Sequence, residues 1–128
     1  MAFLLDTHTF LWFINGDKKL PKNIRSVIDN IDNKCYLSIA SLWEIAIKMR
    51  VNKLELDFGF SGLLSQIIDN NFELLDINFK HLLELTSLEL HHRDPFDRII
   101  IAQAIEENFT IITKDGNLKL YNIKVLWD

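Results

Sequence analysis

Along the chain, short apolar runs alternate with longer segments in which apolar residues recur every three or four positions, a pattern of strands and amphipathic helices. AFLLD at 2–6 reads as a buried strand, followed by a helix through about residue 14 that carries Phe10, Leu11 and Phe13 and is broken by Asn15, Gly16 and Asp17. Pro21 begins a second helix in which Ile24, Val27, Ile28 and Ile31 share one face. CYLSI at 35–39 is the second strand, and Ser38 or Ser41 caps a third helix, SLWEIAIKMR. Helical segments follow at 60–70 and 79–90, with a strand at 72–77 between them, while LELD at 54–57 is ambiguous. The last third reads as a helix from Pro95 to about Glu107, a strand at 109–113 and a final strand at 123–127. Strands joined through helices cross over in one sense, so the expected fold is α/β with a mainly parallel sheet covered on both faces.

A length of 128 residues fits a single domain spanning 1–128, and 48% hydrophobic with 25% charged residues is the balance of an ordinary globule. The lone cysteine, Cys35, cannot form an internal disulfide; a reducing compartment and a packed position in a strand are expected. The apolar opening has no basic start and holds Asp6 in its middle, so it reads as structure rather than as a signal peptide. No window reaches the roughly 18 uninterrupted apolar residues of a spanning helix, and a cytoplasmic protein without a membrane partner is expected. The net charge of −4 counts against gripping nucleic acid mainly by Lys and Arg, but a carboxylate cluster loaded with divalent cations attracts phosphate locally.

Four acids carry the candidate chemistry. Asp6 ends the first strand, and Asp115 follows the 109–113 strand by two residues, so both lie at the carboxyl edge of the sheet. Crossover helices run back antiparallel, which places the starts of the third helix, with Glu44, and of the 95–107 helix, with Asp97, at that same edge. There, open α/β sheets bind ligands. Acids crowded in one cleft raise each other's pKa, a cost that a cation or a catalytic role explains. An all-oxygen donor set suits Mg²⁺ or Mn²⁺, whereas zinc would normally want His or Cys. Phosphodiester hydrolysis is the chemistry that uses such a site.

Each acid also has a purely structural reading. Asp94 before Pro95 is a helix N-cap pattern, and Asp97 three residues on favours the helix dipole. Glu44 pairs naturally with Lys48, and Asp115 can start a turn. Asp6 is the hardest to explain structurally, because an acid after an apolar strand is costly unless paired or ligated. His8, His91 and His92 fit exposed or capping roles; Trp12, Trp43 and Trp127 fit a core or subunit contact. Lys48, Arg50 and Lys53 suit either a solvated turn or phosphate contacts beside the cleft.

LLDTHTFLW, SLWEIAIK, HRDPFDRIIIAQA and TIITKDGNLKLYNIKVLW together resemble, in order and over nearly the whole chain, the blocks of PIN-domain ribonucleases, in particular VapC-type toxins of toxin–antitoxin pairs. The resemblance implies a three-layer α/β/α fold around a parallel sheet, Mg²⁺- or Mn²⁺-dependent endonucleolytic cleavage of RNA, a homodimer, and inhibition by a cognate antitoxin that covers the cleft. Asp6, Glu44, Asp97 and Asp115 stand where that family carries its catalytic, metal-binding acids, and Thr7 and Thr113 sit beside them, able to hydrogen-bond either the acids or bound water. Asp94 either assists the metal or only caps its helix.

Other functions fit less well. Aspartyl-phosphate phosphatases resemble D-x-D after the first strand, where His8 replaces the second acid here, and a phosphate-binding glycine loop is lacking. A receiver-type signalling module gives no reason for Glu44 or Asp97. The remaining alternative is a non-catalytic PIN-like module that binds RNA or metal without cutting.

Overall fold

The computed structural model describes residues 1–91 and 93–127, so the expectation for His92 lies outside the described residues. Five strands form one sheet: β1 (Ala2–Leu5), β2 (Lys34–Ser38), β3 (Glu73–Leu75), β4 (Thr110–Ile112) and β5 (Val125–Leu126). Their order is β3-β2-β1-β4-β5, and every neighbouring pair is parallel. The helices are α1 (Thr7–Asn15), α2 (Lys22–Asp29), α3 (Ile39–Arg50), α4 (Leu63–Asp69), α5 (Phe79–Thr86) and α6 (Pro95–Glu107), with a short 3₁₀ turn at Gly116–Leu120.

The two-residue period of the strands divides the core. Phe3, Leu5, Cys35, Leu37 and Ile112 face one way, packing with Phe10 and Phe13 of α1, Ile24 and Ile28 of α2, and Leu63 and Ile67 of α4. Leu4 and Ile111 face the other way, against Ile100, Ile101 and Ala104 of α6. Near-continuous apolar strands are what burial on both faces requires, and the result is a three-layer α/β/α arrangement. Burial pushes the Cys35 thiol up to about 11, against a smaller opposing pull from the N-terminal charge, so it stays protonated and packed as a small apolar group.

Several boundaries differ from the sequence reading. Ile31 does not share the face of Ile24 and Ile28: α2 stops at the extended C-cap Asn30, and Ile31 is 89% exposed in the turn into β2. The 79–90 segment is helical only to Thr86, because the hydroxyls of Thr86 and Ser87 turn back to the carbonyls of Leu83 and Glu84 and close the last turn. Residues 54–57 form no strand, helix 60–70 contracts to α4, and strand 72–77 contracts to three residues. Pro21 is the N-cap of α2 rather than its first residue. Ser38, not Ser41, caps α3, its hydroxyl accepting from the Ala40 amide at 3.0 Å. No helix among the described residues is long and apolar enough to cross a membrane.

Candidate active site

The chain reverses its winding at β1: β2 and β3 are laid down on one side of it, β4 and β5 on the other. A crevice opens at the carboxyl end of the strands at such a switch point. Asp6 follows β1 directly; its amide still bonds to the Ile112 carbonyl of β4 at 3.2 Å, while its side chain caps α1 through Oδ1, which accepts from the Thr9 amide at 2.8 Å. The second oxygen, Oδ2, accepts from the Thr113 hydroxyl at the end of β4. Thr113 Oγ1 in turn accepts from the Asp115 amide at 3.0 Å, so one hydroxyl ties the first acid to the last.

Glu44 lies in the second turn of α3 and is only 6% exposed. Its Oε1 accepts from the Thr7 hydroxyl at 2.7 Å, and Ser41 Oγ lies 3.0 Å from the same hydroxyl oxygen. Its Oε2 forms an ion pair with Lys48 Nζ at 2.8 Å, the pairing that the i, i+4 spacing allowed. Asp115 caps the 3₁₀ turn, with Oδ1 accepting from the Asn117 amide at 2.9 Å. Asp94 is the N-cap of α6 and accepts from the amides of Phe96 and Asp97.

Asp97, at the third position of α6, reveals how these acids are disposed. Its carboxyl is pushed up to about 7, first by burial and then by the negative charges of Asp94, Asp6, Glu44 and Asp115. The acids singled out in the sequence therefore lie within electrostatic reach of one side chain, although they come from four separate parts of the chain. Asp94 joins them as a charge while its own oxygen serves the helix end. The Thr9 amide, which holds Asp6, and the Ser41 hydroxyl, which meets that of Thr7, carried no signal of these contacts in the sequence; Thr7 and Thr113 did, through their adjacency to acids.

Among the described residues, no three acidic, imidazole or thiol side chains stand close enough to enclose an ion as they are. The donor set nonetheless fits a hard dication. It is all oxygen, two of its carboxylates are oriented by hydroxyls, and burial together with the surrounding negative charge pushes the Asp97 carboxyl up to about 7. Mg²⁺ keeps several waters and needs only one or two direct carboxylates, so it does not require three ligands already gathered around it.

His8 is exposed, and His91 pairs with Glu89 at 2.9 Å. Trp12 and Trp127 are half-buried, whereas Trp43 is 62% exposed with Phe96 edge-on at 5.2 Å, so it is not a core residue. Arg50 and Lys53 are exposed.

A family model described as PIN domain matches residues 3–124. The chain belongs to the PIN domain family. Among solved structures, this PIN domain is similar to a chain of VapBC2 from Rickettsia felis bound to a promoter DNA fragment, with a TM-score of 0.75 at 21% identity over 100% of both chains. It is similar to a chain of DNA-bound VapBC from Salmonella typhimurium, with a TM-score of 0.73 at 18% identity over 98% of this chain and 97% of that one. It also resembles a chain of VapBC-5 from Mycobacterium tuberculosis, a member of the VapBC family of toxin–antitoxin systems, with a TM-score of 0.65 at 17% identity over 99% and 98%. At these identities the likeness is one of fold. No curated protein sequence matches the chain.

Proposed function

We propose that this PIN domain is a metal-dependent endoribonuclease that hydrolyses RNA phosphodiester bonds as the toxin of a toxin–antitoxin pair. In this reading Asp6, Glu44, Asp97 and Asp115 form the catalytic metal site, Mg²⁺ or Mn²⁺ is the cofactor, and a cognate antitoxin silences a cytoplasmic homodimer. The observation that carries it is that Asp6, Glu44, Asp94 and Asp115, from separate parts of the chain, all act on the half-buried Asp97 carboxyl at the sheet edge where α/β folds bind ligands. The pairing with an antitoxin draws its support from the VapBC complexes that share the fold.

The chain's own residues have distinct tasks. Thr113 and the Thr9 amide hold both oxygens of Asp6, and Thr7 holds Glu44, so these carboxylates are oriented before anything binds. Lys48 screens Glu44 from its neighbours. Burial and the acids around Asp97 push its carboxyl up to about 7, and a cation bound among them would favour its ionised form. A divalent cation at these acids would lower the pKa of a water and offset charge on the phosphate.

A non-catalytic PIN-like module remains as a second reading, favoured by the absence among the described residues of a ready-made three-ligand cage. One experiment separates the two: purified protein is incubated with tRNA, rRNA and single-stranded RNA, in Mn²⁺ or in chelator. The nuclease reading expects new fragments in Mn²⁺ that chelator suppresses. Intact RNA across the whole panel, or the same fragments in chelator, would overturn it.

A further inference from the structure

A cavity of about 330 Å³ opens beside Asp6 and Asp115, and its remaining walls are His8, Trp12 and Lys114. That volume lies at the lower end of the range of about 300–1,000 Å³ typical of small-molecule sites. His8 and Trp12 are four residues apart on α1 and so share one face, their rings 6.1 Å apart at 46°. Trp12 is backed by Trp127 at 6.2 Å, and Lys19 Nζ stands 6.0 Å from its ring centroid. Because Asp6 caps α1, this aromatic face rises directly from the acid site.

Hydrolysis of a phosphodiester needs acids and a cation; it gives no reason for an indole and an imidazole opening into the same cavity. Unpaired bases do, because aromatic side chains stack bases of any identity, and single-stranded RNA is recognised largely in this way. Bases inside a duplex are already stacked and cannot reach such a wall. The net charge of −4 sharpens the point, since a chain with little phosphate attraction to spare needs a non-ionic grip. Lys114 in the cavity wall and Lys19 beside the Trp12 ring are both exposed and suit neighbouring phosphates.

We propose that the His8–Trp12 face is a stacking subsite for one unpaired nucleobase of an RNA strand whose scissile phosphate lies at the four acids. The inference rests on the nuclease reading and deepens it by naming the two residues, His8 and Trp12, that would hold a base beside the scissile phosphate. It is tested by fluorescence anisotropy with a short, unstructured, labelled RNA of mixed sequence, in Mg²⁺, in an Asp97→Asn background that keeps the RNA intact. A second series of oligonucleotides carries one abasic site walked along the strand.

Trp12→Leu keeps apolar bulk against the core and removes the stacking plane, and it is expected to weaken binding about tenfold. His8→Ala is expected to weaken it by a smaller factor. An abasic site at one position should cost the same tenfold with Trp12 present and nothing further in Trp12→Leu. Equal affinity of Trp12→Leu and its parent, or no position sensitive to base removal, overturns the subsite and leaves the nuclease reading standing. Should melting show that Trp12→Leu does not fold, the abasic series and His8→Ala decide on the unaltered Trp12. Failure of the wild-type protein to cut any RNA overturns the nuclease reading itself, and the subsite with it.

Discussion

Asp97→Asn is expected to abolish RNA cleavage, by about 100-fold or more, and at the same time to make the metal-free protein more stable at neutral pH. The loss of activity follows from removing a preorganised charged group at the reacting phosphate. The gain in stability follows from linkage. Asp97 is raised from 3.8 to about 7 in the fold, so between about pH 4 and pH 7 the folded protein holds a proton that the unfolded chain has released. Stability of the metal-free protein therefore falls as pH rises through that window, and the full penalty is present above pH 7. Below about pH 4 the group is protonated in both states and contributes nothing. The carboxyl is partly open to solvent, which screens the repulsion, so the Asn variant should gain about 1–2 kcal/mol at pH 8 and almost nothing at pH 4. Melting curves in chelator at the two pH values check this. A variant that is destabilised equally at both would show that Asp97 serves the fold rather than a charged cleft.

Asp6 should divide differently between Asn and Ala. Both substitutions are expected to abolish cleavage, but only Ala should damage the fold. Asn keeps an oxygen for the Thr9 amide, and its NH₂ can donate to Thr113 Oγ1, a hydroxyl with room for a second donor besides the Asp115 amide. Ala removes the helix cap, worth about 1 kcal/mol, and strands the buried Thr113 hydroxyl, worth about 1–3 kcal/mol more. Together, about 2–4 kcal/mol should lower Tm by roughly 10–15 °C in a domain of this size. Chemical denaturation and melting of both variants, alongside cleavage assays, measure the difference. Equal stability of Asp6→Asn and Asp6→Ala would mean that the capping oxygen contributes little.

Much of this arrangement was legible in the sequence, and for identifiable reasons. Helix α6 announces its start with Asp94-Pro95 and ends at Glu107 as its pattern indicated, where the structure shows Asn108 closing it in the left-handed conformation. Asp6 stood out because an acid beyond an apolar strand has few structural excuses. What the sequence could not convey were contacts across the fold and endings decided by local geometry. The bond from Thr7 to Glu44 spans 37 positions, and that from Thr113 to Asp6 spans 107. Ile31 kept the helical period past the point where Asn30 turns the chain, and the hydroxyls of Thr86 and Ser87 ended α5 inside an unbroken apolar rhythm. Trp12, read as a core or subunit-contact residue, packs against the core while staying half-buried beside Trp127, a degree of burial the sequence does not convey.

The most direct test of the acid cluster is thermal melting of the wild-type protein and of Asp97→Asn in millimolar Mn²⁺ and in chelator. A cation at a concentration about 100 times its dissociation constant stabilises the folded state by about 2.7 kcal/mol, which should raise the wild-type Tm by roughly 5–10 °C and that of Asp97→Asn far less. A wild-type melting curve that does not move between chelator and Mn²⁺ would contradict the gathering of these carboxylates into one cation site.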